Sequence, residues 1–313
     1  MIPAPSCPLS PSLAGAPIGV FDSGVGGLSV LQALRNELPH ERFVYFSDNA
    51  WAPYGERSAA FIAERSLAIA THLLEQHGIK ALVVACNTAT AAAIELLRQQ
   101  LPHLQLVGIE PAIKPAAQRS HTGRVGVMGT RGTLGSARFA RLLASLPPQV
   151  QCVLQPCDGL ALAIEQAALQ PHDEAARAAV QALCQRYTQA MGRFGRQAGE
   201  IDTLVLGCTH YVFAQEHLRA LVGPDVQLLD TGVPVARHTR RLLLYAQLLA
   251  TPAPPTHTTR RRPLVCSGSP LATLWCCAVP SPTGCTCPPQ RASASCCRHQ
   301  RLMRPKSVYG RPE

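Results

Sequence analysis

The sequence predicts an α/β protein made of two similar doubly wound parallel-sheet lobes with an active site in the cleft between them. Short apolar runs rich in Val, Ile and Leu alternate with longer stretches of helical periodicity, the pattern of parallel strands covered by helices. Several runs end in polar or small residues, and in open α/β sheets ligands gather at the carboxyl ends of strands. Two of those ends also look alike, VVACNTAT around Cys86 and LVLGCTHY around Cys208, as if each lobe contributed one thiol.

In chain order the strand candidates are Ile18–Asp22, Phe43–Asp48, Ala81–Asn87, Leu104–Glu110, Arg124–Thr130, Val150–Pro156, Asp202–Cys208 and Val226–Gly232. Ala-rich and Leu-rich helices fill most of the gaps. This suggests a disordered N-terminus over 1–15, a first lobe from 16–111 plus a returning segment at 226–250, and a second lobe over 112–225. Residues 251–313 have Pro clusters, Arg260-Arg261-Arg262 and the doublets Cys276-Cys277 and Cys296-Cys297. This basic, Pro/Cys-rich tail reads as disordered, or as translated in a shifted frame.

Charge and cysteine content are both concentrated in that tail. Of the formal +10, it carries nine Lys and Arg against one acidic residue, which leaves 20 basic and 18 acidic residues in the body. The basic balance therefore gives no reason for the folded part to bind nucleic acid. Seven of the 13 cysteines are also in the tail. Cys285, Cys287, Cys296, Cys297 and His299 contain no C-x2-C pair, so no metal site is expected. No run reaches the roughly 18 apolar residues of a membrane span, and the first residues lack the charged start and apolar centre of a signal peptide, so a cytoplasmic protein is expected.

Three groups of residues could carry chemistry. Asp22-Ser23-Gly24-Val25-Gly26-Gly27 follows a strand and opens a helix. Its glycines would let backbone N–H groups approach an anionic ligand, although G-x-G-G does not match the dinucleotide fingerprint. Cys86 and Cys208 each stand between a buried strand and a helix, where a helix N-terminus is expected to lower a thiol's pKa. Cys152, Cys157 and Cys184 lack this placement and are assigned to packing. His210, two residues after Cys208, could set that thiol's protonation, with Asp22 and Glu165 as further polarising groups. A nucleophilic Cys–His triad would leave the second cysteine unexplained. Lysines are scarce, only Lys80, Lys114 and Lys306, and none is at a strand end beside these groups. A pyridoxal-phosphate Schiff base is disfavoured and no cofactor is expected.

FDSGVGGLSV, YFSDNAWAPYGERS, ACNTAT, GIEP, GTRGTLGS, LVLGCTHY and LLDTG occur in that order, and from about Ile18 to about Ala250 the chain resembles bacterial glutamate racemases. The resemblance implies cofactor-independent interconversion of L- and D-glutamate to supply peptidoglycan, one cysteine thiolate removing the α-proton while the other thiol reprotonates the opposite face. Carried onto this chain, Cys86 and Cys208 are the acid/bases, and Asp22, Ser23, Tyr54, Gly55, Asn87, Thr88, Thr209 and His210 line the substrate site. Thr130 and Thr133 join them, and Glu165 and His210 resemble the residues that assist the thiols. Glutamate is the implied small-molecule partner, with no membrane or nucleic-acid partner and a homodimer left open. A racemase of aspartate or a related acid, and a non-enzymatic binding protein whose tail contacts nucleic acid, are the alternatives. Three departures stand out: Ser47 replaces a usual Gly, Asn49-Ala50-Trp51 replaces a more common small-polar and basic run before Pro53-Tyr54-Gly55, and only Cys266-Ser267-Gly268-Ser269-Pro270 remains of a usual C-terminal segment.

Overall fold

The computed structural model describes residues 11–250 and the strand at 265–267. Nine parallel strands form two sheets. The first has the order β4-β3-β1-β2-β9, with β1 Ile18–Asp22, β2 Phe43–Ser47, β3 Ala81–Val84, β4 Gln105–Gly108 and β9 Val265–Ser267. The second has the order β6-β5-β7-β8, with β5 Arg124–Gly129, β6 Gln151–Pro156, β7 Thr203–Leu206 and β8 Gln227–Leu229. In both sheets the chain starts near the centre and moves outward on either side, the doubly wound arrangement expected.

The helices are α1 Pro11–Ala14, α2 Gly27–Glu37, α3 Ala59–His77, α4 Asn87–Gln100, α5 Ile113–Arg119, α6 Arg131–Leu134, α7 Ala137–Ala144, α8 Leu160–Leu169, α9 Glu174–Met191, α10 Gln215–Val222 and α11 Gly232–Tyr245. Three short 3-10 turns at Asn49–Trp51, Tyr54–Glu56 and Thr209–Ala214 complete the described elements. Side-chain alternation along the strands sorts the core into layers. Ile18 and Val20 of β1 pack with Val30, Leu34, Val235 and Leu243 of α2 and α11. Phe21 packs on the opposite face with Ile62, Ile69, Ile94 and Leu97 of α3 and α4. In the second sheet Leu204 and Leu206 meet α8, α9 and α10, while Val125, Val127 and Val205 meet α5 and α7. Because both faces are covered, the inner strands read as continuous apolar runs.

Local chemistry sets the ends of the elements. Ser58 caps α3 by accepting from Phe61 N, and Gly78, at φ +56°, closes it in the left-handed region that suits glycine. Lys80, just before β3, is wholly buried; its Nζ meets Glu41 Oε2 at 2.5 Å and donates to the carbonyls of Ala14 and Leu248. Ala250 N donates to Glu41 Oε1 at 2.9 Å, so one buried ion pair ties together four distant pieces of chain.

The expected boundaries need three corrections. Pro11–Ala14, assigned to a disordered 1–15, is a turn of helix held by the Lys80 contact to Ala14. The returning segment at 226–250 is divided: β8 adds to β7 in the second sheet, and the chain crosses back only with α11, which packs on α2. A three-residue strand has too little pattern to reveal which sheet edge it joins. Within 251–313, Val265–Ser267 extends the first sheet beside β2; the rest of the tail, including the cysteines considered as metal ligands, lies outside the described residues. Among the described residues, no helix is long and apolar enough to cross a membrane.

Candidate active site

The carboxyl ends of β1, β2 and β3 in the first lobe face those of β5 and β7 in the second, and most of the candidate residues converge there. Asp22, the last residue of β1, is fully buried. Its Oδ2 accepts from Gly27 N at 2.5 Å, while Oδ1 has no hydrogen-bond partner among the described residues. Burial pushes its carboxyl up to about 6; the charge of His210 and the Gly27 hydrogen bond oppose that rise, and Glu165 adds to it.

Two glycines of the Asp22–Gly27 turn make room for the second lobe. A Cβ at Gly24 would fall 1.7 Å from Glu165 Oε1, and one at Gly26 would fall 2.5 Å from His210 Nδ1 and 2.6 Å from Thr209 Oγ1. At Gly24 and Gly26 the turn is bare where side chains of the second lobe press against its backbone, whereas a Cβ at Gly27 would meet Asp22 and Tyr45 of the first lobe. Val25 N donates to Glu165 Oε1 at 2.7 Å across the lobes.

Cys208 follows β7, and its Sγ lies 3.7 Å from His210 Nδ1; His210 Nε2 in turn meets Glu165 Oε1 at 2.6 Å. Burial alone would disfavour the imidazolium, but the hydrogen bonds to Cys208 and Glu165 and the charges of Cys208 and Asp22 outweigh it, holding His210 well above an ordinary histidine.

Cys86 is set differently. It is the N-cap of α4, its Sγ accepting from Ala89 N at 3.4 Å and lying 3.7 Å from Ser23 Oγ. The helix start was expected to lower this thiol. Instead burial, and next the charge of Asp22, push it well above the usual thiol range, and the donors from Ala89 and Ser23 only partly offset them. Cys208 contributes to the same rise, so the two sulfurs feel each other's charge.

The remaining candidates close the site. Asn87, at the start of α4, is buried with neither Oδ1 nor Nδ2 paired among the described residues. Thr88 Oγ1 lies 2.9 Å from Thr130 Oγ1 and 3.4 Å from Thr133 Oγ1, a cluster of three hydroxyls spanning the lobes. Gly55 packs against Thr130, where a Cβ would come within 3.0 Å of the threonine methyl. The Tyr54 hydroxyl is already committed: it donates to Asp48 Oδ2 at 2.5 Å, and Asp48 also pairs with Arg65. Sequence reasoning passed over Tyr45, which donates to Gly24 O at 2.8 Å, and noted Ser47 only as a departure, although it does the same at 2.8 Å. Their only signal was alternation along β2, which sends residues 45 and 47 to one face. A cavity of about 280 Å3 lies away from both cysteines, lined by Arg98, Glu110, Lys114, Arg138 and His238 among others.

A two-lobed α/β body with a thiol from each lobe at one cleft defines a class, and comparison identifies it: the chain belongs to the Asp/Glu/hydantoin racemase family, which it matches over residues 18–239. It is 50% identical over 236 residues to the glutamate racemase of Ectopseudomonas mendocina, covering 75% of this chain and 85% of that one. The glutamate racemase of Stutzerimonas stutzeri is 46% identical over 266 residues, 83% of this chain and 94% of the relative. Among solved structures, Escherichia coli glutamate racemase in complex with L-glutamate and the activator UDP-MurNAc-ala aligns with a TM-score of 0.67 and 33% identity, over 82% of this chain and 92% of that one. A glutamate racemase from Bacillus anthracis aligns at 0.65 and 32%, over 75% and 84%.

Proposed function

We propose that this protein is a glutamate racemase that interconverts L- and D-glutamate without a cofactor, with Cys86 and Cys208 exchanging protons with the two faces of the α-carbon. The supporting observation is that two buried thiols, Cys86 against Ser23 and Cys208 against His210, stand with buried polar atoms that have no partner among the described residues: Asp22 Oδ1 and both amide atoms of Asn87. Such atoms cost stability unless a ligand engages them, and they suit the substrate's ammonium and carboxylate. In this reading Cys208, beside His210, serves as the base for one enantiomer and Cys86 as the acid. The Cys208 thiolate takes the α-proton of the enantiomer that faces it, and the electron pair left on carbon accepts the Cys86 proton from the opposite side. The product is the mirror-image acid, and the opposite enantiomer runs the same exchange in reverse.

Because the α-hydrogen beside a carboxylate is very weakly acidic, fixed donors must hold the developing charge while water is excluded. The hydroxyls of Ser23, Thr88, Thr130, Thr133 and Thr209, all buried, supply such donors. Tyr54 and Gly55 shape the wall beside Thr130. Lys80 is committed to Glu41 and two carbonyls, which supports cofactor-free chemistry. Glutamate is chosen over aspartate on the names of the relatives, and the product would enter peptidoglycan in the cytoplasm. In D2O with L-glutamate and no added cofactor, the protein should form D-glutamate carrying α-deuterium, and Cys86→Ala or Cys208→Ala should abolish this. A folded sample that gives neither product nor exchange refutes the proposal.

A further inference from the structure

The Gly24–Val25 peptide is gripped at both ends of its dipole. Its carbonyl accepts two hydroxyls from β2, Tyr45 Oη and Ser47 Oγ, each at 2.8 Å. Its N–H points the other way and donates to Glu165 Oε1 of the second lobe at 2.7 Å. That same carboxylate oxygen meets His210 Nε2 at 2.6 Å, and His210 Nδ1 faces the Cys208 sulfur. A continuous chain of contacts therefore runs from two residues on a first-lobe strand to the thiol of the second lobe.

We propose that Tyr45 and Ser47 are positioning residues for the Cys208 side of the reaction. By fixing the plane of the Gly24–Val25 peptide they hold its N–H where Glu165 must dock, so that Glu165 aligns and charges His210. This inference rests on the racemase reading above, with Glu165 and His210 serving Cys208. Two physical arguments support it. An amide whose oxygen accepts hydrogen bonds is a stronger N–H donor, since linked hydrogen bonds polarise one another. And Gly24 has no side chain to brace it, and Tyr45 and Ser47 are the donors to its carbonyl among the described residues, so without the two hydroxyls the peptide is freer to rotate.

Each hydroxyl is able to play its part. Burial and the charges of Asp22 and Glu165 push the Tyr45 phenol far above its usual range, so it keeps its proton and remains a donor at working pH. Ser47 Oγ also faces Asn49 Oδ1, and since a serine has one proton to give, Gly24 O and Asn49 Oδ1 share it, with the Tyr45 hydroxyl as the undivided donor to Gly24 O. The other titratable groups facing this chain are Asp22 from β1, Cys86 from the start of α4, and Cys157 and Tyr211, which interact with Cys208.

The test combines kinetics with a spectroscopic readout. Tyr45→Phe and Ser47→Ala keep side-chain bulk while deleting one hydroxyl each, and Ser47→Thr restores a hydroxyl. The double variant should lose about tenfold in kcat with KM within about twofold, because what is disturbed is a group acting in the transition state and not a substrate contact. The His210 ring, followed by NMR on 15N-histidine-labelled protein, should titrate at lower pH in the double variant, and Ser47→Thr should restore most of the rate lost in Ser47→Ala. If the wild type racemises glutamate and Cys208→Ala is inactive, yet the folded double variant keeps its kcat and its His210 titration, the positioning role is overturned while the racemase reading stands. If the wild type does not racemise glutamate, that reading fails first.

Discussion

Replacing Asp22 by Asn should make the protein more stable and nearly inactive. A carboxyl held at about 6 in the fold, against an ordinary 3.8, binds its proton more tightly folded than unfolded. Its contribution to stability is therefore fully present below about pH 4, declines as pH rises from about 4 to about 6, and stays lost above that. A shift of about two units at 1.36 kcal/mol each puts the loss at about 3 kcal/mol at pH 8. Asn carries no charge and can still accept from Gly27 N, but its NH2 would sit where Oδ1 has no partner among the described residues. Leaving that donor unpaired costs about 1–2 kcal/mol, so a net gain of about 1–2 kcal/mol is expected at pH 8, a few degrees in Tm for a body of this size. Urea denaturation at pH 4, 6 and 8 measures it: the advantage of Asp22→Asn over wild type should grow with pH, while turnover falls at least a hundredfold. A variant whose stability relative to wild type is unchanged between pH 4 and pH 8 would show that burial does not strain this carboxylate.

Other expectations follow from the same geometry. Gly24→Ala should displace Glu165 from its place against the turn; the side chain can swing aside, so Tm should change little while kcat falls roughly a hundredfold, the scale of an ångström's misplacement in a site. Glutamate affinity, measured by calorimetry, should weaken about tenfold per pH unit below about 6, as Asp22 gains a proton and can no longer pair with an ammonium. Lys80→Met should destabilise the fold by about 3–5 kcal/mol by stranding the Glu41 charge in the interior, and adding Glu41→Leu should recover much of it, both read from urea midpoints.

Much of this was legible in the sequence because burial on both faces writes parallel strands as bare apolar runs. IGVFD and TLVL announced themselves, and the polar residues closing them marked the cleft. Strand limits were read long at several ends: Cys86 and Cys208, counted as strand, are helix-capping positions. What pattern could not give was partnership at a distance. Nothing near Glu165 signals that its carboxylate meets Val25 from 140 positions away, nor near Ser47 that it touches Gly24. The protonation of Cys86 was misjudged for a related reason. The helix start is local and visible in the sequence, whereas the burial and the Asp22 charge that overcome it come from the whole fold.

The buried lysine–glutamate clasp has a topological consequence. By binding Ala14 and Leu248 to one ammonium, it brings two distant points of the chain side by side at the amino ends of β1 and β3, opposite the carboxyl ends where the proposed reaction lies. A short loop joining those two points, with new termini opened elsewhere and the edge strand β9 left out, should yield a circularly permuted enzyme whose cleft is untouched.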